Sequence, residues 1–241
     1  MGRNMSTNPN TLLKADLLDR LNYKCRHYKN GMEHPRCYDR DREGGERIGF
    51  FDIETAGALE ADWGFLLCYS IKALNGPMIT ECIKPQEVRN PLMDRKVKKG
   101  EYVKDKRLVK QLAEDLMKFD TIVVYYGKDS GMRQRHDIPF SRTRAVKWGL
   151  EFPTWRALKI VDMYDIVRGK LKMKQRRMDC ACELLGFKNK AKPFVYDVWT
   201  DVLWGSQPAL DYVVKHNQED VIALEKLYKR LFSYRPTSSK I

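Results

Sequence analysis

A short apolar run that ends in two carboxylates places the strongest constraint on the fold of this chain. The run Ile48–Phe51 is uncharged, and it continues directly into Asp52, Ile53 and Glu54. Its composition predicts a buried strand, and successive side chains of a strand point to opposite faces. Asp52 and Glu54 therefore share a face, where like charges repel and burial increases the cost. A divalent cation such as Mg²⁺ or Mn²⁺, which prefers oxygen ligands, would relieve this repulsion.

Strand and helix patterns follow this segment in an order that predicts the fold class. Three apolar strands in succession, with a turn at Asn75-Gly76, predict an antiparallel meander. Helices that alternate with further strands come next, so we predict an α/β fold with a mixed sheet flanked by helices. The predicted strands are Ile48–Ile53, Phe65–Ile71, Pro77–Ile83, Thr121–Tyr126 and Lys159–Asp162, and the predicted helices are 106–119 with Asp105 as the N-cap, Arg142–Gly149, 179–185 and Pro208–Phe232.

The balance of charge indicates a polyanionic partner. The 241 residues include 45 lysines and arginines against 32 aspartates and glutamates, which gives a formal net charge of +13. Nucleic acid is the first candidate for such a partner, and a basic protein that is merely soluble is the alternative. Residues 1–46 and 233–241 are polar, so the main domain is expected over 47–232.

The sequence lacks the patterns of a membrane span and of an export signal. No window approaches a run of about 18 apolar residues, and the first ten residues lack the apolar core of a signal peptide. Six cysteines in a chain of this length do not indicate a disulfide scaffold. An intracellular protein, cytoplasmic or nucleoid-associated, is therefore expected.

Two further aspartates are candidates for the same site as Asp52 and Glu54. Asp137 follows the predicted strand at Thr121–Tyr126, and Asp220 lies on the last predicted helix. Residues four positions apart lie on the same side of a helix, so His216 projects beside Asp220.

The order of these motifs resembles that of the DEDD superfamily of 3′–5′ exonucleases, which have a ribonuclease H-like fold. The resemblance rests on Asp-x-Glu at the end of the first strand, on His-Asp-Ile-Pro-Phe at His136–Phe140 and on the helical segment His216–Leu224. It is closest to the subgroup that has a tyrosine four residues before the last aspartate, and this chain has His216 at that position. The likeness covers about residues 47–232.

The resemblance implies a phosphodiester hydrolase, a metal-dependent 3′–5′ exonuclease that uses two Mg²⁺ or Mn²⁺ ions. The metal ligands would be Asp52, Glu54, Asp137 and Asp220, with Asp52 between the two ions. Glu54 would also be a catalytic residue. His216 would accept the proton of the attacking water, for which an ordinary imidazole pKa of about 6.5 is suitable.

The expected substrate is the end of a nucleic acid, with DNA favoured over RNA and a single strand over a duplex. A structure-dependent endonuclease of the same fold is one alternative. A nucleic-acid-binding scaffold with weak or no catalysis, within a replication or processing complex, is another. A partner protein in such a complex is also expected for a proofreading role.

Residues outside the carboxylate motifs are candidates for substrate contacts. The resemblance implies a contact from Thr55, because it follows the first motif directly. Arg168–Arg177 carries six positive charges and no negative charge, and such a run can bind phosphates. Its alternative is a solvated basic face. The candidate nucleic-acid ligands are Thr55, Lys170, Lys172, Lys174, Arg176 and Arg177.

A second metal motif is predicted in the N-terminal extension. Cys25, His27, His34 and Cys37 hold two of the six cysteines and two of the four histidines of the chain. Two thiolates and two imidazoles suit tetrahedral Zn²⁺. A surface loop without metal is the alternative.

Overall fold

The structure is a computed structural model of the chain. It describes residues 17–25, 28–42, 46–84, 87–88, 105–130, 133–154, 157–187 and 193–234. These residues divide into two compact units, one that ends at Arg47 and one that begins at Ile48. Each unit is described by itself.

A five-stranded mixed sheet is the centre of the second unit. Its strand order is β3-β2-β1-β4-β7. Strands β1, β2 and β3 form an antiparallel meander, whereas β4 and β7 run parallel to β1. The predicted mixed sheet is therefore confirmed. The strands are β1 Ile48–Ala56, β2 Phe65–Ala73, β3 Met78–Cys82, β4 Thr121–Val124, β7 Lys159–Asp162, and a separate hairpin of β5 Asp129–Ser130 and β6 Arg133–Gln134.

Helices flank the sheet, as the sequence predicts. The described helices are α1 Pro35–Arg42 in the first unit, then α2 Lys106–Leu116, α3 Asp137–Lys147, α4 Met163–Lys170, α5 Met178–Leu184, α6 Tyr196–Leu203 and α7 Gln207–Leu231, which a 3₁₀ turn at Phe232–Tyr234 extends. Residues 17–22 of the first unit are also helical. Within the described ranges, no helix combines the length and the apolar character needed to cross a membrane.

Strand β1 is buried on both faces. Phe51 and Ile53 belong to one hydrophobic cluster, which includes residues of α2 and the first turns of α7. Ile48 and Phe50 belong to a second cluster with α4 and the later turns of α7. Because side chains alternate along a strand, Asp52 and Glu54 lie on the same face as Phe50.

The structure corrects the start of α3. The predicted helix began at Arg142, but α3 begins at Asp137. Pro139 is tolerated because the first turn of a helix leaves its N–H groups without intrahelical acceptors. Asp137 is therefore at a helix N-terminus rather than in a loop.

The prediction that the Asp105 side chain caps α2 is also wrong. The helix does begin after Asp105, but the Asp105 side chain does not cap it. Its buried carboxylate accepts hydrogen bonds from the Leu66 N–H, the Arg144 guanidinium and the Trp148 indole at 2.6–2.9 Å. Asp105 thus joins β2 to α3 in the core, and its tertiary partners outcompete the local cap.

Candidate active site

The end of β1 presents two carboxylates toward α7. Asp52 Oδ2 accepts a hydrogen bond of 2.7 Å from Asn217 Nδ2. Glu54 Oε1 lies 3.5 Å from His216 Nε2. Both contacts come from adjacent residues of one helix, so α7 holds the two carboxylates of β1 at a fixed distance from its own polar side chains.

Helix α7 adds a histidine and a third carboxylate. His216 Nε2 lies 3.6 Å from Asp220 Oδ2, one helical turn later. The imidazole is buried, and its ring meets the edge of Trp199 at a centroid distance of 5.2 Å. The ligand atoms of Glu54, His216 and Asp220 all lie within 4.8 Å of one another. The predicted neighbours on this helix therefore face the carboxylates of β1.

Asp137 reaches the same place from the start of α3. The Ile138 N–H donates to the Gly127 carbonyl at 2.9 Å, and the His136 N–H donates to the Tyr126 carbonyl at 3.1 Å. These bonds fix the start of α3 to the turn that follows β4. A methyl group on Gly127 would lie 2.2 Å from Asp137 Oδ2, so only glycine leaves room for the carboxylate.

Asp162, at the end of β7, organises that turn. Its carboxylate accepts hydrogen bonds of 2.9–3.1 Å from the N–H groups of Tyr126, Gly127 and Lys128. It also accepts from the Tyr164 N–H at the start of α4 and pairs with Arg135 Nη1 at 2.6 Å. This set of donors gives Asp162 a structural role in fixing the turn after β4.

The electrostatics of the cluster favour a bound cation. Burial raises the pKa of Asp137 well above its ordinary value, and the negative charges of Asp52, Asp162, Glu54 and Asp220 raise it further. Asp137 Oδ2 is buried and has no hydrogen-bond partner among the described residues. A divalent cation would stabilise the ionised carboxylates and coordinate this oxygen. The residues therefore fit the metal site that the sequence predicts.

Two open cavities border the cluster. One, of about 470 Å³, is lined by Asp52, His216 and Asp220, by Arg177 and by residues of α5 such as Asp179. The other, of about 420 Å³, is lined by Glu54, Thr55 and His136 and by aromatic residues around α6. Phe194 lines both cavities. Solvent and ligands can therefore reach the carboxylates from two sides.

The predicted nucleic-acid ligands lie in three settings. Thr55 lines the second cavity, and its hydroxyl is 3.3 Å from His136 Nε2. Arg177 lines the first cavity and pairs with Asp179 at 2.7 Å. Four residues are exposed on the approach to α5, and the structure brings none of them into the carboxylate cluster: Lys170, Lys172, Lys174 and Arg176.

This architecture matches a known family. A family model described as the RNase_H superfamily matches residues 49–232, which is most of the chain. The chain belongs to the ribonuclease H superfamily. Membership in this superfamily indicates a nuclease, and such nucleases usually act with divalent metal ions. The cluster of carboxylates and His216 supplies a suitable site.

A solved structure supports the ribonuclease H-like fold. The family B DNA polymerase from the hyperthermophilic archaeon Pyrobaculum calidifontis aligns with a TM-score of 0.57 and 17% sequence identity. The alignment covers 78% of this chain and 24% of the polymerase chain, so this chain spans about a quarter of that protein. At this identity the similarity shows the fold alone. A comparison with curated proteins finds no match.

Several residues of this ribonuclease H-like site were not predicted. Asn217 contacts Asp52, and its position beside His216 on the last helix was the available signal. Gly127 directly follows the predicted strand Thr121–Tyr126, and its close approach to Asp137 is seen only in the folded chain. The aromatic side chains Phe194, Tyr196 and Trp199 line the second cavity, and nothing local in the sequence connects them to Glu54.

The predicted zinc motif is described in part. Cys25 and Cys37 are buried in the first unit, and their sulfur atoms lie 3.6 Å and 4.0 Å from His34 Nδ1. The structure brings these three residues together, whereas His27 lies outside the described residues.

Proposed function

We propose that this protein is a metal-dependent 3′–5′ exonuclease that hydrolyses phosphodiester bonds at nucleic-acid ends and prefers single-stranded DNA. The convergence of Asp52, Glu54, Asp137, Asp220 and His216 beside two open cavities carries the proposal. Metal-dependent hydrolysis of a phosphodiester needs cations beside the scissile phosphate, and a cluster of carboxylates can hold them.

The carboxylates would hold two Mg²⁺ or Mn²⁺ ions, with Asp52 between them. When bound, such ions polarise the phosphoryl group and lower the pKa of a water molecule. The residues around the carboxylates would orient them toward the ions. Asn217 donates to Asp52 Oδ2 at 2.7 Å, and the Gly127 turn holds Asp137.

His216 is suited to accept the proton of the attacking water. Its Nε2 lies 3.5 Å from Glu54 Oε1 and 3.6 Å from Asp220 Oδ2. Two carboxylates at these distances stabilise the imidazolium that forms when the ring takes a proton. The edge contact with Trp199 fixes the plane of the ring. A histidine thus supplies the proton acceptor at a position where the resembling subgroup has tyrosine.

The cavities support a single strand as substrate. Bases that are not paired can stack on aromatic side chains, and Phe194, Tyr196 and Trp199 line the cavity that contains Glu54. Phe194 and Tyr196 are largely exposed. Arg177 places a positive charge at the other cavity, where it can contact a backbone phosphate. The similarity in fold to a DNA polymerase is compatible with DNA as the substrate.

The test is digestion of 5′-labelled oligonucleotides with Mg²⁺ or Mn²⁺. Single-stranded and duplex DNA and RNA are compared, together with circular single-stranded DNA. We expect a ladder that shortens from the 3′ end of linear single-stranded DNA and no cleavage of the circle. Cleavage of the circle would favour the endonuclease. Binding without cleavage of any substrate would favour the scaffold.

Asp52→Asn tests the metal site within the same assay. We expect a loss of at least about 100-fold in activity with no change in fold, because the central ligand loses its charge. Asp211→Asn is the matched control, since Asp211 is an exposed carboxylate on α7 that accepts a hydrogen bond from Gln207 and lines neither cavity. Full activity in purified Asp52→Asn would contradict the assignment.

A further inference from the structure

Two thiols and an imidazole converge in the N-terminal unit. The Cys25 Sγ atom lies 3.6 Å from His34 Nδ1, and the Cys37 Sγ atom lies 4.0 Å from the same nitrogen. All three ligand atoms are within 4.8 Å of one another. One ring nitrogen therefore faces two sulfur atoms that come from opposite ends of a thirteen-residue segment.

The local backbone brings the three residues together. The Cys25 N–H donates to the Lys29 carbonyl and the Tyr28 N–H donates to the Cys25 carbonyl, which closes a tight turn. Tyr28 has a φ of 60°, a left-handed conformation that non-glycine residues seldom adopt. The Cys37 N–H then donates to the His34 carbonyl at 3.0 Å, where α1 begins. The turn and the helix start thus place both sulfurs near His34 Nδ1.

The distances match those of a tetrahedral zinc site. With Zn–S of about 2.3 Å and Zn–N of about 2.0–2.1 Å, a tetrahedral angle separates a sulfur ligand from a nitrogen ligand by about 3.6 Å. The two observed separations are 3.6 Å and 4.0 Å. A thiol that donates a hydrogen bond explains only one short contact, because the ring nitrogen has a single lone pair.

The described part of the first unit has little apolar core to hold it together. Among its described residues, the buried hydrophobic side chains are Cys25, Cys37 and Tyr38. Leu17, Leu18 and Leu21 are about half exposed. Apolar burial on this scale does not offset the conformational entropy of an ordered segment, and small units usually need a metal or disulfides. Two of the three buried side chains are the thiols of the cluster.

We propose that Cys25, His34 and Cys37 bind one structural Zn²⁺ ion that holds the N-terminal unit in its fold. Two thiolates and a neutral imidazole balance the charge of the ion, and the soft sulfur ligands select zinc over the Mg²⁺ or Mn²⁺ that suit the carboxylate cluster. The fourth ligand of the tetrahedron comes from outside these three residues. This site is independent of the proposed nuclease chemistry.

Metal content tests the site directly. The full chain, purified with zinc and then dialysed, should retain about one equivalent of zinc. Cys25→Ser and Cys37→Ser should each lose it. Cys180→Ser is the matched control and should retain it, because Cys180 is a partly exposed thiol that belongs to α5. Cobalt substitution identifies the ligands, since a thiolate-to-cobalt absorption band cannot arise from the carboxylate cluster.

A chelator tests the structural role without a substitution. Removal of zinc from the wild-type chain should greatly accelerate amide hydrogen exchange in residues 19–41, whereas exchange in β1 and β2 should stay slow. Zinc added back should restore the protection. A wild-type chain that binds no zinc, a Cys37→Ser variant that keeps its full zinc, or a disulfide between Cys25 and Cys37 in the purified protein would each overturn the proposal.

Discussion

The absent side chain of Gly127 lets the Asp137 carboxylate lie against the turn after β4. A Cβ atom at this position would stand 2.2 Å from Asp137 Oδ2 and 2.9 Å from the Val124 side chain. The backbone itself does not require glycine, since Gly127 is not among the residues with positive φ. The requirement is therefore one of space beside a proposed metal ligand.

We expect Gly127→Ala to reduce nuclease activity by about 10- to 100-fold, because displacement of a reacting or coordinating group by about 1 Å can have an effect of that size. The measurement is the initial rate of single-strand digestion, with the melting temperature recorded in parallel. Gly169→Ala is the control, since nothing lies near a Cβ at that exposed helical position. It should keep full activity and gain about 0.5–1 kcal/mol in stability. Unchanged activity in Gly127→Ala would mean that the position of Asp137 does not matter.

The site carboxylates could be predicted from local sequence patterns. The residues that position them could not, because they make tertiary contacts. The alternation of a strand and the four-residue spacing of a helix place Asp52, Glu54, His216 and Asp220 from the sequence alone. The space at Gly127 depends on two segments that meet only after folding. No spacing rule reveals such a contact.

At the scale of elements, Glu225 ties the β2–β3 turn to α7. Its buried carboxylate pairs with Lys72 and Lys229, each at 2.8 Å, and accepts a hydrogen bond from the Asn75 N–H at 2.9 Å. Asn75 has a φ of 54° at the third position of a turn that the Gly76 N–H closes on the Ala73 carbonyl. Burial alone would raise the pKa of Glu225, but its hydrogen bonds and charged partners together hold that pKa below its ordinary value.

We expect Glu225→Gln to lower the free energy of unfolding by about 2 kcal/mol at pH 7, because two charged hydrogen bonds lose their anion. A lowered carboxyl pKa stabilises the fold above the unfolded value of about 4.3, and the contribution disappears as the pH falls through the folded value. The difference between wild type and variant should therefore shrink below about pH 4. Denaturant titrations at several pH values measure it, and a difference that stays constant into acid would contradict the role of the charge.

The strands were easier to predict than the helices. Apolar runs with turn residues between them located the five strands of the main sheet to within a few residues. Helix α4 was missed although Asp162 caps it, because Asp162 also ends a strand and the two elements share that residue. Helix α6 was missed although Val198, Trp199, Val202 and Leu203 have helical spacing, because eight residues are too few to separate a helical pattern from a short buried strand.

At the scale of the whole molecule, basic residues extend along the segment between α4 and α5 toward the cavity that contains Asp52. In the segment that leads from α4 to α5, Leu171 and Met173 pack against the core while Lys172 and Lys174 face solvent. Further along, Arg177 lines the cavity that contains Asp52. We propose that a nucleic-acid strand follows these charges toward the carboxylates.

We expect the Lys172→Gln/Lys174→Gln double variant to bind single-stranded DNA more weakly and with less dependence on salt. Each lost phosphate contact should reduce the log–log salt slope by about 0.7, or about 1.4 for the pair. Binding is measured by fluorescence anisotropy with the Asp52→Asn chain, which prevents digestion. Lys110→Gln/Lys226→Gln removes the same charge from exposed positions on α2 and α7. Equal slopes for the two double variants would show that only net charge matters.

The site can be complete only after helix α7 has been synthesised and has folded. Its first turns belong to one hydrophobic cluster and its later turns to the other, and it carries His216, Asn217 and Asp220 between them. A nascent chain that has not yet released this helix from the ribosome lacks part of the cover over both faces of β1 and has only Asp52, Glu54 and Asp137 of the cluster. If the proposed function is right, cleavage of nucleic acid therefore requires that the last helix has folded onto the sheet.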